Sequence, residues 1–105
     1  MLKKKYFPSL MLIIAGILIF NVCLEASTPK FHVDVGLNHF YKNRYLEAYR
    51  EFKAALDLDP RYPEAHYNLG RVYKAQGFIK EALIEFQIAV QLKPDYHAAR
   101  RELEA

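Results

Sequence analysis

Four histidines, His32, His39, His66 and His97, and two pairs of glutamates one helical turn apart, Glu47/Glu51 and Glu81/Glu85, are the residues of this chain best equipped for chemistry. His32 and His39 stand two turns apart on a helical reading and could face a metal together, but a zinc-type site needs at least a third ligand. No third histidine or cysteine lies near them in the sequence, and Cys23 is the only cysteine, which excludes both an intrachain disulfide and a cysteine-rich metal site. The glutamate pairs have the spacing of an acid/base couple. They have no nucleophile to serve: beyond Thr28 there is no Ser, Thr, Cys, Met or Trp, and Tyr is the only hydroxyl. Gly36, Gly70 and Gly77 are isolated rather than grouped after a strand as a phosphate cradle requires. The expected roles are therefore packing for the histidines and solvated or inter-helix polar contacts for the glutamates, with no catalytic residue, cofactor or metal.

Length and charge narrow the class further. A chain of 105 residues has room for one small domain and a targeting segment. Its net charge of +3 is concentrated in Lys3, Lys4 and Lys5, because from Ser27 onward twelve basic residues face eleven acidic ones. That near balance leaves no electrostatic footprint for nucleic acid.

The elements that would position these side chains come from an internal repeat. A shift of 34 residues aligns residues 29–62 with residues 63–96 and pairs Pro29 with Pro63, His32 with His66, Gly36 with Gly70, Glu47 with Glu81 and Ala48 with Ala82. It also pairs Glu51 with Glu85, Phe52 with Phe86, Ala55 with Ala89, Leu58 with Leu92, Pro60 with Pro94 and Tyr62 with Tyr96. The glutamates thus recur at equivalent places, as architecture does. Within each unit, Tyr45, Ala48, Tyr49, Phe52, Ala55 and Leu56, and then Ile79, Ala82, Leu83, Phe86, Ala89 and Val90, follow the spacing of one buried helix face. A first helix is marked by His32, Val35, Gly36 and His39, and again by His66, Leu69, Gly70 and Tyr73. Asn43-Arg44 and Gly77 interrupt the pattern where a residue tolerant of positive φ can reverse the chain, and Pro60 and Pro94 stop the second helices. Glycine and alanine at 36, 48, 55, 70, 82 and 89 let facing backbones approach, with Phe52 and Phe86 filling the seam.

The runs H-x-x-V-G-x-x-H from His32 to His39 and H-x-x-L-G-x-x-Y from His66 to Tyr73, each followed by Ala, Phe, Ala and Pro at matching distances, resemble the tetratricopeptide repeat. The resemblance implies an all-α fold: two helix-turn-helix repeats at residues 29–62 and 63–96, then a capping helix at 97–105, forming one domain from residue 27 to 105. It departs at His32 and His66, where the family usually has a larger aromatic, and at His39, where it prefers Tyr. The resemblance also implies a protein-protein interaction module whose first helices line a concave groove. Carried onto this sequence, the groove positions are Lys30, Val33, Asp34, Leu37, Phe40 and Tyr41, then Glu64, Tyr67, Asn68, Arg71 and Lys74, with Arg101 following from the cap. Val33, Leu37, Phe40, Tyr67, Asn68, Arg71, Lys74 and Arg101 are the expected partner-binding residues, suited to a ligand with apolar anchors and an acidic end. The Lys and Asn arrangement by which some family members clamp a chain-terminal carboxylate is not reproduced, since only Asn68 resembles it. Stacked units usually need about three neighbours to bury a continuous core. Two repeats and a cap therefore point to completion by a partner or by self-association, and a structural scaffold without a dedicated peptide ligand is the alternative function.

Residues 1–26 read as a targeting segment. Lys3 to Lys5 precede an apolar run from Leu10 to Phe20 that resumes after Asn21. That layout suits a secretory signal cleaved after Ala26. It also suits an uncleaved anchor over residues 6–24, since spanning a bilayer takes ~20 residues. Cys23 resembles the acceptor of a bacterial lipoprotein signal, although Phe20 and Val22 fit that signal poorly. Each version puts the domain outside the cytoplasm, exported, periplasmic or tethered to the membrane.

Overall fold

A computed structural model describes residues 11–19 and 27–105. Helix α1 covers residues 11–19. Then follow α2 (Pro29–Tyr41), α3 (Tyr45–Leu58), α4 (Pro63–Ala75), α5 (Ile79–Leu92) and α6 (His97–Glu104). Among the described residues no helix is long and apolar enough to cross a membrane. Lys3 to Lys5, Cys23 and Ala26, on which the expected leader depends, lie outside the described residues.

Local chemistry sets the helix ends. The Thr28 hydroxyl accepts from the Phe31 backbone N–H at 3.2 Å, and Pro29 occupies the first turn, where its missing N–H has no consequence. Pro63 opens α4 in the same way. Asn43 and Gly77, equivalent in the two units, have φ of 59° and 86°, so one left-handed residue closes each hairpin. Asp59 accepts from the Arg61 N–H at 3.0 Å and shapes the turn past Pro60.

Helices α2 and α3 form one antiparallel pair and α4 and α5 the other; α3 packs on α4, α5 on α6, and α2 touches α4. The seam inside each pair is a phenylalanine lying on a glycine. A Cβ built on Gly36 would come within 2.5 Å of Phe52 Cε1, and one on Gly70 within 2.6 Å of Phe86 Cε1. Real side chains do not approach so closely, so glycine is dictated by contact distance. Around Phe52 the core gathers Val33, Ala48, Ala55, Leu56, Ala65, Leu69 and Val72, and so joins the two units.

A polar pin accompanies the seam. His32 Nδ1 lies 2.7 Å from Glu51 Oε2, and His66 Nδ1 lies 2.7 Å from Glu85 Oε2, so the recurring glutamates tie each second helix to the first. Glu47 and Glu81, their partners in sequence, are exposed. The second pin is the more complete, because His66 Nε2 also sits 2.8 Å from the Pro60 carbonyl oxygen. Two acceptors call for an N–H on both ring nitrogens, which is the imidazolium form. The hydrogen bond to Glu85 accordingly holds the His66 pKa above its ordinary value, against the opposing effect of burial. His39 lacks such help: its Nδ1 is buried with no hydrogen-bond partner, at the place where the second unit has Tyr73. Among the described residues, no three His, Cys, Asp or Glu come together as a metal site would need.

Two predictions follow from different physics at the two glycine types. Gly70→Ala should cost about 1–3 kcal/mol by overpacking, with partial recovery when Phe86→Leu is added. Gly77→Ala meets open space, so its cost should be only the left-handed backbone's, roughly 1–2 kcal/mol, and Phe86→Leu should not recover it. Urea denaturation of the single and double variants separates the two. The His66 pin gives a pH dependence of defined sign. A pKa raised by folding stabilises fully below the ordinary value of 6.5, and that contribution fades as pH climbs through the higher folded value. The stability advantage of the native chain over Glu85→Gln should therefore be large at pH 6 and shrink by pH 8.5; a gap that widened over this range would contradict the pin.

Candidate interaction surface

The face shared by α2 and α4 is built from rings around one cation. The Arg71 guanidinium carbon lies 4.5 Å from the centroid of Phe40, 5.6 Å from that of Tyr41 and 5.8 Å from that of Tyr67. Phe40 and Tyr41 come from the last turn of α2, and Tyr67 and Arg71 are one turn apart on α4, so the touching of α2 and α4 assembles the cluster. Each ring is itself braced. Phe40 meets Tyr45 edge-on at 5.6 Å, while Tyr67 rests 5.8 Å from Phe86 and 5.1 Å from Tyr96. Through Phe86, Tyr67 is coupled to the seam that holds α4 on α5.

Asn68 sets the position of Arg71 from below. Its Nδ2 donates to the Glu64 carbonyl oxygen at 2.8 Å, and its Oδ1 accepts from Arg71 Nη1 at 2.9 Å. One amide thus satisfies a backbone acceptor and fixes the guanidinium. Beyond Tyr67 the face continues to Tyr96, whose hydroxyl is pushed up to about 12 mainly by burial. Lys93 lies over the Tyr96 ring at 5.3 Å and reaches Glu64 at 3.7 Å.

The expected partner-binding residues divide into three groups. Phe40, Tyr67 and Arg71 are half-buried and meet on this face, with Tyr41 exposed at its edge, while Leu37 is half-buried against the core. Val33 and Asn68 are covered in the free chain: Val33 is 6% exposed and belongs to the core, and Asn68 is 5% exposed beneath Arg71. Val33 is drawn inward because α3 and α4 supply apolar side chains around it that one helix's pattern does not reveal. Lys74 is exposed but engaged, with its Nζ 2.6 Å from Glu102 Oε2 on α6. Arg101 is exposed on α6. Of the remaining groove positions, Lys30 donates to Asp34 at 2.7 Å.

Sequence reasoning missed Tyr96, which contributes a ring from the turn between α5 and α6. The available signal was its repeat equivalence with Tyr62. It also missed a cleft of about 420 Å³ lined by Lys74, Ile79, Leu83, Glu102 and Leu103. Ile79, Leu83 and Leu103 are 51%, 41% and 38% exposed there. Ile79 and Leu83 belong to the face of α5 expected to be buried, and the structure leaves them open beside α6.

No curated protein matches the chain. Among solved structures, the crystal structure of MamA matches with a TM-score of 0.71 at 23% identity, over 78% of this chain and 48% of that one. The chain thus spans about half the length of that protein, and at this identity the likeness is one of fold. A model described as TPR repeat matches residues 36–77, and one described as tetratricopeptide repeat matches residues 63–96. Both describe one family, together they run over residues 36–96, more than half of the chain, and both fall on the paired helices described above: the chain belongs to the tetratricopeptide repeat family.

Proposed function

We propose that this interaction module holds a peptide or partner helix against the α2/α4 face and acts as an adaptor or assembly factor on the extracytoplasmic side of a membrane. The observation that carries the reading is the ring cluster of Phe40, Tyr41 and Tyr67 around Arg71. Aromatic and arginine side chains are the types that concentrate binding energy at protein interfaces. Here Phe40, Tyr67 and Arg71 are half-buried, braced by neighbours and still reachable, with Tyr41 exposed beside them, so little ordering remains to be done on binding. Leu37 and Tyr41 extend the apolar area, and Arg101 supports an acidic end of the ligand. The extracytoplasmic placement rests on the basic start and apolar run of residues 1–26, as signal or anchor.

A second reading, self-association as a scaffold, is favoured by the apolar cleft at Ile79, Leu83 and Leu103, since a contiguous exposed apolar patch usually marks a contact site. The two readings use different faces. Tyr67→Ala combined with Arg71→Ala should weaken partner capture by well over tenfold, given about 2 kcal/mol for an interface anchor of this type, while the helical circular dichroism signal persists. Capture is read by crosslinking in the native membrane fraction. Unchanged capture by that double variant, together with loss of capture on Leu83→Asp, would move the function to the cleft.

A further inference from the structure

Arg71 is a partly buried cation that the protein leaves without a counter-charge. Among the lysines and arginines of the described residues, only Arg71 and Lys93 are partly buried. Lys93 has Glu64 at 3.7 Å, and the other close ion pairs engage Lys30, Lys74 and the two pinned histidines. Arg71 has one hydrogen bond, to the neutral amide of Asn68. Three rings lie against the guanidinium, and Asn68 occupies one of its five N–H donors. The donors left over lie in the plane of a fork whose geometry matches a carboxylate.

We propose that Arg71 is a preformed carboxylate receptor, and that the partner segment on the α2/α4 face carries an aspartate or glutamate side chain beside an apolar residue. The proposal rests on that face being the binding face. Stacking on the rings and the bond from Asn68 fix the guanidinium before the ligand arrives, so the ordering cost of a long flexible side chain is already met. Charge complementarity selects the acidic group, and the rings select its apolar neighbour. An internal side chain is favoured over a chain terminus because the rings that meet Arg71 continue away from it, to Phe40 and Tyr41 on α2 and through Tyr67 to Tyr96, so a ligand can run on past the guanidinium. Asn68 is a positioning residue that acts through Arg71.

The test is selection of random 12-residue peptides on the full-length native chain and on Arg71→Gln, in one pool with the peptide C-terminus blocked and one with it free. The native chain should enrich Asp or Glu next to an aromatic or aliphatic residue in the blocked pool. Arg71→Gln should keep the apolar preference and lose the acidic one. For a selected peptide, Glu→Gln should weaken binding to the native chain roughly ten- to hundredfold, as for a charge-assisted hydrogen bond, and should have little effect on Arg71→Gln. Asn68→Ala should fall between the two. Apolar peptides with no acidic preference would overturn the carboxylate receptor and leave the binding face standing. Enrichment from the free pool alone would overturn the side-chain assignment. No enrichment in either pool, or enrichment that survives Tyr67→Ala unchanged, would remove the binding face itself.

Discussion

A phenylalanine ring pressed on a glycine, twice, is the contact on which the rest of this structure depends. Phe52 on Gly36 and Phe86 on Gly70 bring the helices of each pair so close that a single methyl group has no space. That separation decides where α2 and α4 lie once α3 packs against α4. At that spacing the last turn of α2 and the middle of α4 touch, and Phe40 and Tyr41 reach Arg71. The face is therefore a consequence of packing inside the pairs. Tyr67, which lies between Phe86 and the Arg71 side chain, is the physical link between the two levels.

The fold was legible because its information is local and repeated. The 34-residue spacing, the small residues of the seam, Asn43 and Gly77 at the reversals and the prolines after α3 and α5 all concern neighbours within one unit, where sequence distance and spatial distance agree. The site was legible only in outline. Val33 and Tyr67 are repeat equivalents, yet Val33 is 6% exposed while Tyr67 is half-buried on the open face, since what covers a position depends on the unit packed against it. Asn68 looks like a surface polar residue in the sequence. It is buried because its amide can serve a helix carbonyl and a guanidinium at once, a role fixed by the placement of Arg71. The stacking of Arg71 on rings from another helix has no signature in either unit alone.

The histidines show how one substitution pattern acquires two strengths. Both units place His where the family usually has a larger aromatic, and both answer with a glutamate 19 residues later. The pair replaces lost apolar contact by a directional bond, which fixes the crossing of two helices more sharply than a ring alone. In the second unit Pro60 supplies another acceptor and the side chains are better covered, with His66 at 11% exposure against 23% for His32. The first unit also carries the unpartnered Nδ1 of His39. A buried polar atom without a partner costs about 1–3 kcal/mol, a cost the second unit avoids with Tyr73 at that place.

That asymmetry bears on how such a small module can bind at all. Holding a half-buried guanidinium without a carboxylate beside it is unfavourable in the free protein, because desolvation is only partly offset by the rings and one neutral hydrogen bond. A protein selected for stability alone would place an acid next to Arg71, as it does next to Lys30, Lys74 and Lys93. Leaving the charge open is tolerable where the helix beneath it is held in place, and the seam at Gly70 together with the His66 pin holds α4 on α5. The cost borne by the free state becomes affinity when a partner brings the missing charge, provided the guanidinium does not have to be reordered first. On this argument the hold on α4 and the open charge on its surface are two parts of one arrangement.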